Sequence, residues 1–509
     1  IDERNGAPQF IFFEGPPSAN GHPGIHHVLA RSIKDTFNRY KTMQGFQVHR
    51  KAGWDTHGLP VELGVEKELG ITKKDIDNKA SEKYISTEEY NHKCRENVMK
   101  FTAEWRELTE EMGYFVDLDN PYITYDNKYI ETLWWLLKQL YNKGLLYKGY
   151  TIQPYSPGAG TGLSSHELNQ PGCYIDVKDT TATVQFAIVE NDWNALCKKQ
   201  GIKTNSWGTP SFIAWTTTPW TLPSNVALCV GPKIEYLVVE TYNPYTANKA
   251  TVVVASTRLS AYFKPEGEVK EGEMPAYKPT DKVLPYRVVG KVMGTDLEGV
   301  HYEQLMKWVK PVERIGELAP AFVNNYAEAH KDKVFQSEDG RDAFVEMESE
   351  AFRIILGDYV TTEDGTGIVH IAPTFGADDA KVARDASIPA LYLISKKGET
   401  RPMVDLQGKY YTLEELDKNF VSACVNIDAY GKHAGDYVKN AYDPRFNTNG
   451  VWDKKGSEKA EDLNIVLCME MKMAGEAFNI QKHTHTYPHC WRTDKPLLYY
   501  PLDSWFIKD

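Results

Sequence analysis

The sequence contains no CxxC pair, no apolar run approaching the ~18 residues of a membrane span, and no surplus of positive charge. Lacking the first, the seven scattered cysteines (Cys94, Cys173, Cys197, Cys229, Cys424, Cys468 and Cys490) read as reduced thiols of a cytoplasmic protein, not as a disulfide framework or a paired-cysteine metal site. Lacking the second, a helical membrane anchor is not expected. Lacking the third, broad nucleic-acid binding is excluded. Lys and Arg number 58 against 70 Asp and Glu, a formal charge of −12, whereas a sequence-independent grip on phosphates needs basic residues in excess on the contacting face. Any nucleic acid must be held locally. The N-terminus also lacks an initiator Met and a basic-then-apolar leader pattern, so the chain is expected to be a piece cut from a longer one.

What is present is 509 residues of ordinary globular composition, enough for two or three domains, with no internal repeat or low-complexity tract. Gln9-Phe10-Ile11-Phe12-Phe13 reads as a buried strand, broken by the turn-formers between Gly15 and Gly21. Leu29, Ile33, Phe37 and Tyr40 then recur at helical spacing until Gly45, and Phe46-Gln47-Val48 opens a second strand. This is a βαβ unit whose glycine-rich first turn sets a helix N-terminus where a phosphate can bind. The stretch from Asp75 to Tyr147 reads as helix-rich, with Trp134, Trp135, Leu137 and Leu140 as a core stripe and Gly144 as a C-cap. Beyond Thr180 the texture changes to short β-runs at 183–189, 236–239, 251–254 and 367–371, which suggests a β-rich domain inserted into an α/β one. The charged, turn-rich tract from Lys264 to Lys282 reads as a surface excursion.

Two segments carry candidate chemistry. In the first, Glu14-Gly15-Pro16-Pro17-Ser18-Ala19-Asn20-Gly21-His22-Pro23-Gly24-Ile25-His26-His27, three histidines fall within six residues at the start of a helix. There imidazoles can join backbone N–H groups in stabilising a transferring phosphoryl group. In the second, Gly53-Trp54-Asp55-Thr56-His57-Gly58-Leu59-Pro60-Val61-Glu62, a carboxylate follows the second strand. It suits a turn or cap, and equally a substrate ammonium.

Together these segments resemble the class I aminoacyl-tRNA synthetases, and the stretch from Gly53 to Glu62 is similar to the isoleucyl rather than the valyl or leucyl enzymes. The resemblance continues through the segment from Trp215 to Asn225, the stretch from Gly365 to Pro373 with Asp378-Asp379, the run from Tyr487 to Arg492, and Ser504-Trp505-Phe506. It implies an α/β fold, an incomplete Rossmann-like catalytic domain with an inserted β-rich editing domain. The expected bounds are 1–178 catalytic, 179–480 editing, and 481–509 returning to the catalytic domain. It implies ATP-dependent activation of L-isoleucine and its transfer to tRNA(Ile), with Mg²⁺ on the phosphates, in a cytoplasmic monomer. By the family pattern, Gly15 and Pro16 line the amino-acid pocket, Asp55 binds the α-ammonium with His57 nearby, Trp505 packs on the side chain, and His26 and His27 act on ATP.

Here the family's HxGH signature is rearranged: Gly24 stands at the first histidine and His26 at the glycine. His26 must therefore swing away or supply the lost imidazole, and an inhibitor that contacts this motif, such as mupirocin, is expected to bind poorly. Thr216, Thr217, Thr218, Asn225, His370 and Asp379 match the editing pocket, where Asp379 would hold the ammonium of misattached valine. His483, His485, His489 and Cys490 could ligate zinc, but alternate residues of one strand do not converge, and no metal ligand is assigned. Nothing resembles the family's KMSKS loop or its anticodon-binding helices. The fragment itself is thus expected to be weak or inactive in ligation, with a valyl enzyme or a stand-alone deacylase or binding fragment as the alternatives.

Overall fold

Two parallel strand pairings around a glycine-rich turn organise the N-terminal part of this computed structural model, which describes residues 2–73, 75–203, 207–448 and 451–508. By its internal contacts the chain forms two units, Ile1–Lys148 with Trp505–Asp509, and Gly149–Ser504.

In the first unit, β1 (Gln9–Phe13) leads through the turn into α1 (Ile25–Met43) and back to β2 (Gln47–Trp54), parallel to β1 with Phe13 opposite Lys51. Three helices follow, α2 (Leu59–Leu69), α3 (Thr87–Val98) and α4 (Thr102–Glu111), then β3 (Asp117–Ile123), parallel to β2, and α5 (Asn127–Asn142). The βαβ unit and the helix-rich stretch are therefore present. Gly144 follows α5 with φ +70°, a backbone that glycine adopts without strain. Burial, in contrast, corrects the sequence reading. Residues of β1 alternate between exposed and half-buried, and Trp134 and Trp135 of α5 are 68% and 61% exposed, so neither element is core. In α1 the apolar stripe of Leu29, Ile33, Phe37 and Tyr40 is likewise exposed, and the buried residues are Arg31, Asp35 and Asn38.

The reason is that periodicity defines a face but not a neighbour. The polar side of α1 docks through specific bonds: Arg31 donates to Thr109 at 2.6 Å and lies 4.8 Å from the Trp105 ring centroid, and Asp35 accepts from the Phe115 N–H at 3.2 Å. Ala19, Trp54 and Trp105 form a small core beneath the turn.

The second unit is dominated by β4 (Tyr174–Ala187), β5 (Thr209–Thr216), β6 (Ala227–Val230), β7 (Glu235–Tyr242), β8 (Lys249–Ala255) and β9 (Arg287–Met293). They are followed by β10 (Arg353–Leu356), β11 (Ile368–Ile371), α6 (Ala377–Asp385), α7 (Leu463–Ala474) and β12 (Ala477–Pro488). One six-stranded sheet runs β9-β7-β8-β5-β4-β12, and a three-stranded sheet runs β10-β6-β11. The period-two pattern explains the larger sheet. In β7, Tyr236 and Val238 enter one apolar core while Leu237 and Val239 enter another on the opposite face. The β-runs read from the sequence fall in these strands except at their ends, where Ile188, Val189 and Gly367 lie outside, and most residues from 264 to 282 are exposed. The long β4/β12 ribbon pairs Tyr174 with Pro488 at its far end.

Candidate functional site

In the first unit, the turn after β1 and the turn after β2 leave neighbouring parallel strands at their C-terminal ends, the edge where open α/β sheets place ligands. A bond from the Asp55 backbone N–H to the Pro17 carbonyl, 3.0 Å, ties the two turns together, which brings Gly15, Pro16 and half-buried Asp55 to one edge. His57 is exposed, with Nδ1 3.2 Å from the Thr124 hydroxyl. Trp505 is 60% exposed, and its indole makes no hydrogen bond or ring contact among the described residues. Just ahead of Gly15, buried Glu14 pairs with Lys34 at 2.6 Å and with the Tyr114 hydroxyl.

The histidines at the start of α1 have defined states. The Gly24 N–H donates to His27 Nδ1 at 2.8 Å, so a neutral His27 carries its proton on Nε2 and keeps that N–H as a donor. Burial lowers the His27 pKa, and the neighbouring His26 and Arg31 lower it further, favouring that neutral form. Its ring packs on Trp105 at 4.7 Å between centroids and on His26 at 3.7 Å. A β-carbon on Gly24 would meet His26 Cε1 at 2.9 Å and Nδ1 at 3.0 Å. The His26 imidazole thus folds back over the α-carbon of residue 24, into the space from which a side chain at 24 would start.

In the second unit, two distant stretches of sequence are clasped. The end of β5 carries Thr216, and a 3-10 turn, Pro219–Ser224, follows. The Thr218 N–H donates to Thr216 Oγ1 at 3.0 Å, and Thr221 Oγ1 donates to the Thr218 carbonyl at 2.8 Å. Thr221 Oγ1 also lies 3.2 Å from His370 Nε2. Because the single Thr221 proton goes to Thr218, the imidazole is the donor in that pair, and His370 Nδ1 is left as a bare acceptor. No described residue bonds to that buried Nδ1, nor to the buried Trp220 Nε1 and Thr374 Oγ1. Burial pushes the His370 pKa down to about 4, so the ring is neutral near pH 7.

The clasp is completed by Trp220 packing edge-on to Phe375 at 4.9 Å and by the Val226 N–H donating to the Ile371 carbonyl at 3.0 Å. Asp379, in the first turn of α6, accepts from the Ala372 N–H at 2.8 Å, which seats its carboxylate two residues beyond His370. Burial pushes its pKa up to about 6, and the neighbouring Asp378 adds to the rise. A β-carbon on Gly376 would meet Asp379 Cγ at 2.8 Å, so the absence of a side chain there makes room for the carboxylate.

The structure therefore gathers Thr216, Thr218, His370 and Asp379 into one region. Thr217 is half-buried beside them without a hydrogen bond among the described residues. Asn225 has a different setting: its side chain donates to the Ala227 carbonyl at 2.8 Å and accepts from the Tyr302 hydroxyl at 2.6 Å, a structural tie. Thr221 was missed. Its signal was the spacing from Thr218, since residues three apart eclipse in a 3-10 turn.

Among the described residues no group of three His, Cys, Asp or Glu side chains is placed to hold a metal ion. His485 Nε2 pairs with Asp179 at 3.1 Å and His489 Nδ1 lies 2.9 Å from the Tyr487 carbonyl, so the C-terminal histidines have separate partners. No helix of the described residues is long and apolar enough to cross a membrane.

A sequence profile described as tRNA synthetases class I (I, L, M and V) matches residues 1–509. An isoleucine--tRNA ligase of Bacteroides thetaiotaomicron is 61% identical over 508 residues, which are 100% of this chain and 40% of that protein. One of Porphyromonas gingivalis is 56% identical over 509 residues, again 100% of this chain and 39% of that protein. The chain thus spans about 40% of the length of the curated relatives it matches. Among solved structures, the P. falciparum cytosolic leucyl-tRNA synthetase editing domain aligns over 41% of this chain and 66% of that one at 10% identity, with a TM-score of 0.25, too slight a likeness to carry an argument.

Proposed function

The chain belongs to the class I tRNA synthetases (I, L, M and V), and on that footing we propose that the full-length protein activates isoleucine with ATP, transfers it to tRNA(Ile), and hydrolyses Val-tRNA(Ile) made in error. The isoleucine assignment, in preference to valine, is supported by the GWDTHGLPVE segment and by the names of the relatives at 61% and 56% identity. The observation that carries the two-site reading is the clasp of the threonine turn against His370 and Asp379, in a unit separate from the glycine-rich turn.

In the activation site, Gly15 and Pro16 line the amino-acid pocket, Asp55 binds the α-ammonium with His57 beside it, and Trp505 meets the aliphatic side chain. His27 offers its Nε2–H to an ATP phosphate, with His26 beside it. Mg²⁺ would accompany ATP as the counter-ion of its phosphates. In the editing site, Asp379 holds the valyl ammonium, Thr216, Thr217, Thr218 and Thr221 surround the terminal ribose and the attacking water, and His370 accepts a hydrogen bond at Nδ1. Asn225 acts behind them by holding the turn. A second site has a physical motive: one methylene is worth roughly 1–3 kcal/mol, a figure known from this enzyme family and not obtained from this structure. We assign 179–480 to editing and a cytoplasmic location to the enzyme.

Two assays on the full-length protein test the reading: isoleucine-dependent ATP–pyrophosphate exchange, and deacylation of Val-tRNA(Ile) beside Ile-tRNA(Ile). Both activities, with the valyl ester hydrolysed faster, are expected. Valine-dependent exchange exceeding that with isoleucine contradicts the assignment.

The rearranged signature gives a more local prediction. Gly24→His alone drives a side chain into the His26 ring and is expected to lower exchange more than the double change Gly24→His with His26→Gly, which clears that space. The double variant is also expected to bind mupirocin more tightly than the parent. Equal mupirocin affinities, or a single variant as active as the double one, count against this account of His26.

A further inference from the structure

The backbone of Trp220, between Thr218 and Thr221 in the threonine turn, is held at both ends by residues distant in sequence. Its N–H donates to Asn464 Oδ1 in α7 at 3.1 Å, and its carbonyl accepts from the buried Tyr410 hydroxyl at 2.6 Å. Tyr410 is in turn fastened to the loop at 435–436: its N–H donates to the Asp436 carbonyl at 2.9 Å, and its carbonyl accepts from the Gly435 N–H at 3.0 Å. One hold thus comes from α7 and the other from that loop, so the turn inherits any change in the spacing between them.

One buried side chain spans that spacing. His433, 5% exposed, places Nδ1 3.1 Å from Asp436 Oδ2 in the loop and Nε2 3.1 Å from Glu470 Oε2 in α7. Its ring stacks on Trp308 with centroids 5.0 Å and planes 16° apart, and Trp308 has Tyr410 and Tyr430 edge-on to it. The charged groups facing the imidazole are thus Asp436 and Glu470, and its stacking neighbour is a ring. A neutral imidazole has a single N–H, so it satisfies one carboxylate and turns a lone pair on the other; only the imidazolium donates to both. Burial opposes that charge, yet the bond to Asp436 and the proximity of Glu470 raise the His433 pKa above the ordinary 6.5. The aromatic face of Trp308 favours the cation as well.

We propose that His433 is a positioning residue for deacylation: its imidazolium ties α7 to the loop that carries Asp436 and so holds the Trp220 backbone, and with it Thr218 and Thr221, in place. The tie is independent of what the turn does; its effect on deacylation rests on the editing reading above. Loss of the proton frees one carboxylate, and the turn loosens. The sign follows from linkage. With the folded pKa raised above the unfolded one, the contribution of the tie to stability is complete below the unfolded pKa and is lost as pH rises through the folded one. Deacylation of Val-tRNA(Ile) therefore acquires an alkaline limb, along which activity falls as His433 deprotonates.

Two measurements on the full-length protein and its His433→Gln and Glu470→Gln variants test this. In hydrogen–deuterium exchange at a single pH, the amides of residues 217–224 are expected to exchange about threefold to tenfold faster in His433→Gln than in the parent, with those of residues 25–43 unchanged. Deacylation of Val-tRNA(Ile), corrected for spontaneous hydrolysis, is expected to fall by the same factor at neutral pH in His433→Gln and to lose its alkaline limb. Glu470→Gln removes a charge that favours the imidazolium, so its limb is expected to move to lower pH, which a merely structural loss would not do. Glu470 is half-exposed, so that variant decides if His433→Gln melts early: a limb at the parent's position overturns the proposal. Unaltered amide exchange in a folded His433→Gln overturns it as well, and faster exchange with deacylation unchanged overturns the positioning role. If the parent does not hydrolyse Val-tRNA(Ile), the editing reading fails, and amide exchange alone decides whether His433 holds the turn.

Discussion

Asp379→Ala is expected to slow deacylation of Val-tRNA(Ile) by the full-length protein about 100-fold, with isoleucine-dependent ATP–pyrophosphate exchange unchanged. The magnitude follows from removing one partner of a desolvated, hydrogen-bonded charge pair, a loss of about 2–5 kcal/mol. The geometry supports so large an effect because the carboxylate is held in place by the Ala372 N–H, and Gly376 leaves it room. The same group sets a pH dependence. Its pKa is raised to about 6, so only above that pH is the free site mainly carboxylate. Deacylation kcat/KM is therefore expected to fall as pH drops below about 6, approaching tenfold per unit, and the alanine variant is expected to lose this limb of the profile. For stability the sign is opposite. The ionised, buried carboxylate destabilises the fold above about 6, and that cost is relieved as pH falls through the folded pKa toward the ordinary value of 3.8. Undiminished hydrolysis by Asp379→Ala removes this residue from the site.

His27→Ala is expected to lower ATP–pyrophosphate exchange by about 10²–10³, the range seen when a donor aimed at developing transition-state charge is deleted. The neutral ring has its Nδ1 occupied by the Gly24 N–H and its Nε2–H available, and both burial and the adjacent His26 and Arg31 oppose protonation. Since the substitution also strips the Gly24 N–H of its acceptor, thermal melting accompanies the kinetics. A variant that melts as the parent does and still loses exchange assigns the loss to the donor; one that exchanges normally shows that His27 does not touch the phosphates. Val-tRNA(Ile) deacylation is expected to be unaffected, because His27 and Asp379 lie in separate units.

The local elements were readable because their causes are local. Alternating β-formers gave the strands of the six-stranded sheet, and a glycine-rich turn between an apolar run and a helical period gave the βαβ unit. What the sequence could not show was partnership across distance. The stripe of Leu29, Ile33 and Phe37 has the right spacing for a buried face, yet α1 docks through Arg31 and Asp35, and periodicity alone cannot tell which side finds a neighbour. Trp134 and Trp135 failed as core residues for the same reason. In the proposed editing region Thr216 to Thr218 stood out as a run, whereas Thr221 depended on recognising a 3-10 turn, and Asn225 bonds to the Tyr302 hydroxyl.

The most direct test is a crystal of the protein soaked with a non-hydrolysable amide analogue of valyl-adenosine. The account predicts density with the valyl ammonium on the Asp379 carboxylate and the ribose against the turn that runs from Thr216 to Thr221. Density for the analogue elsewhere in the second unit, with that carboxylate and those hydroxyls untouched, contradicts it.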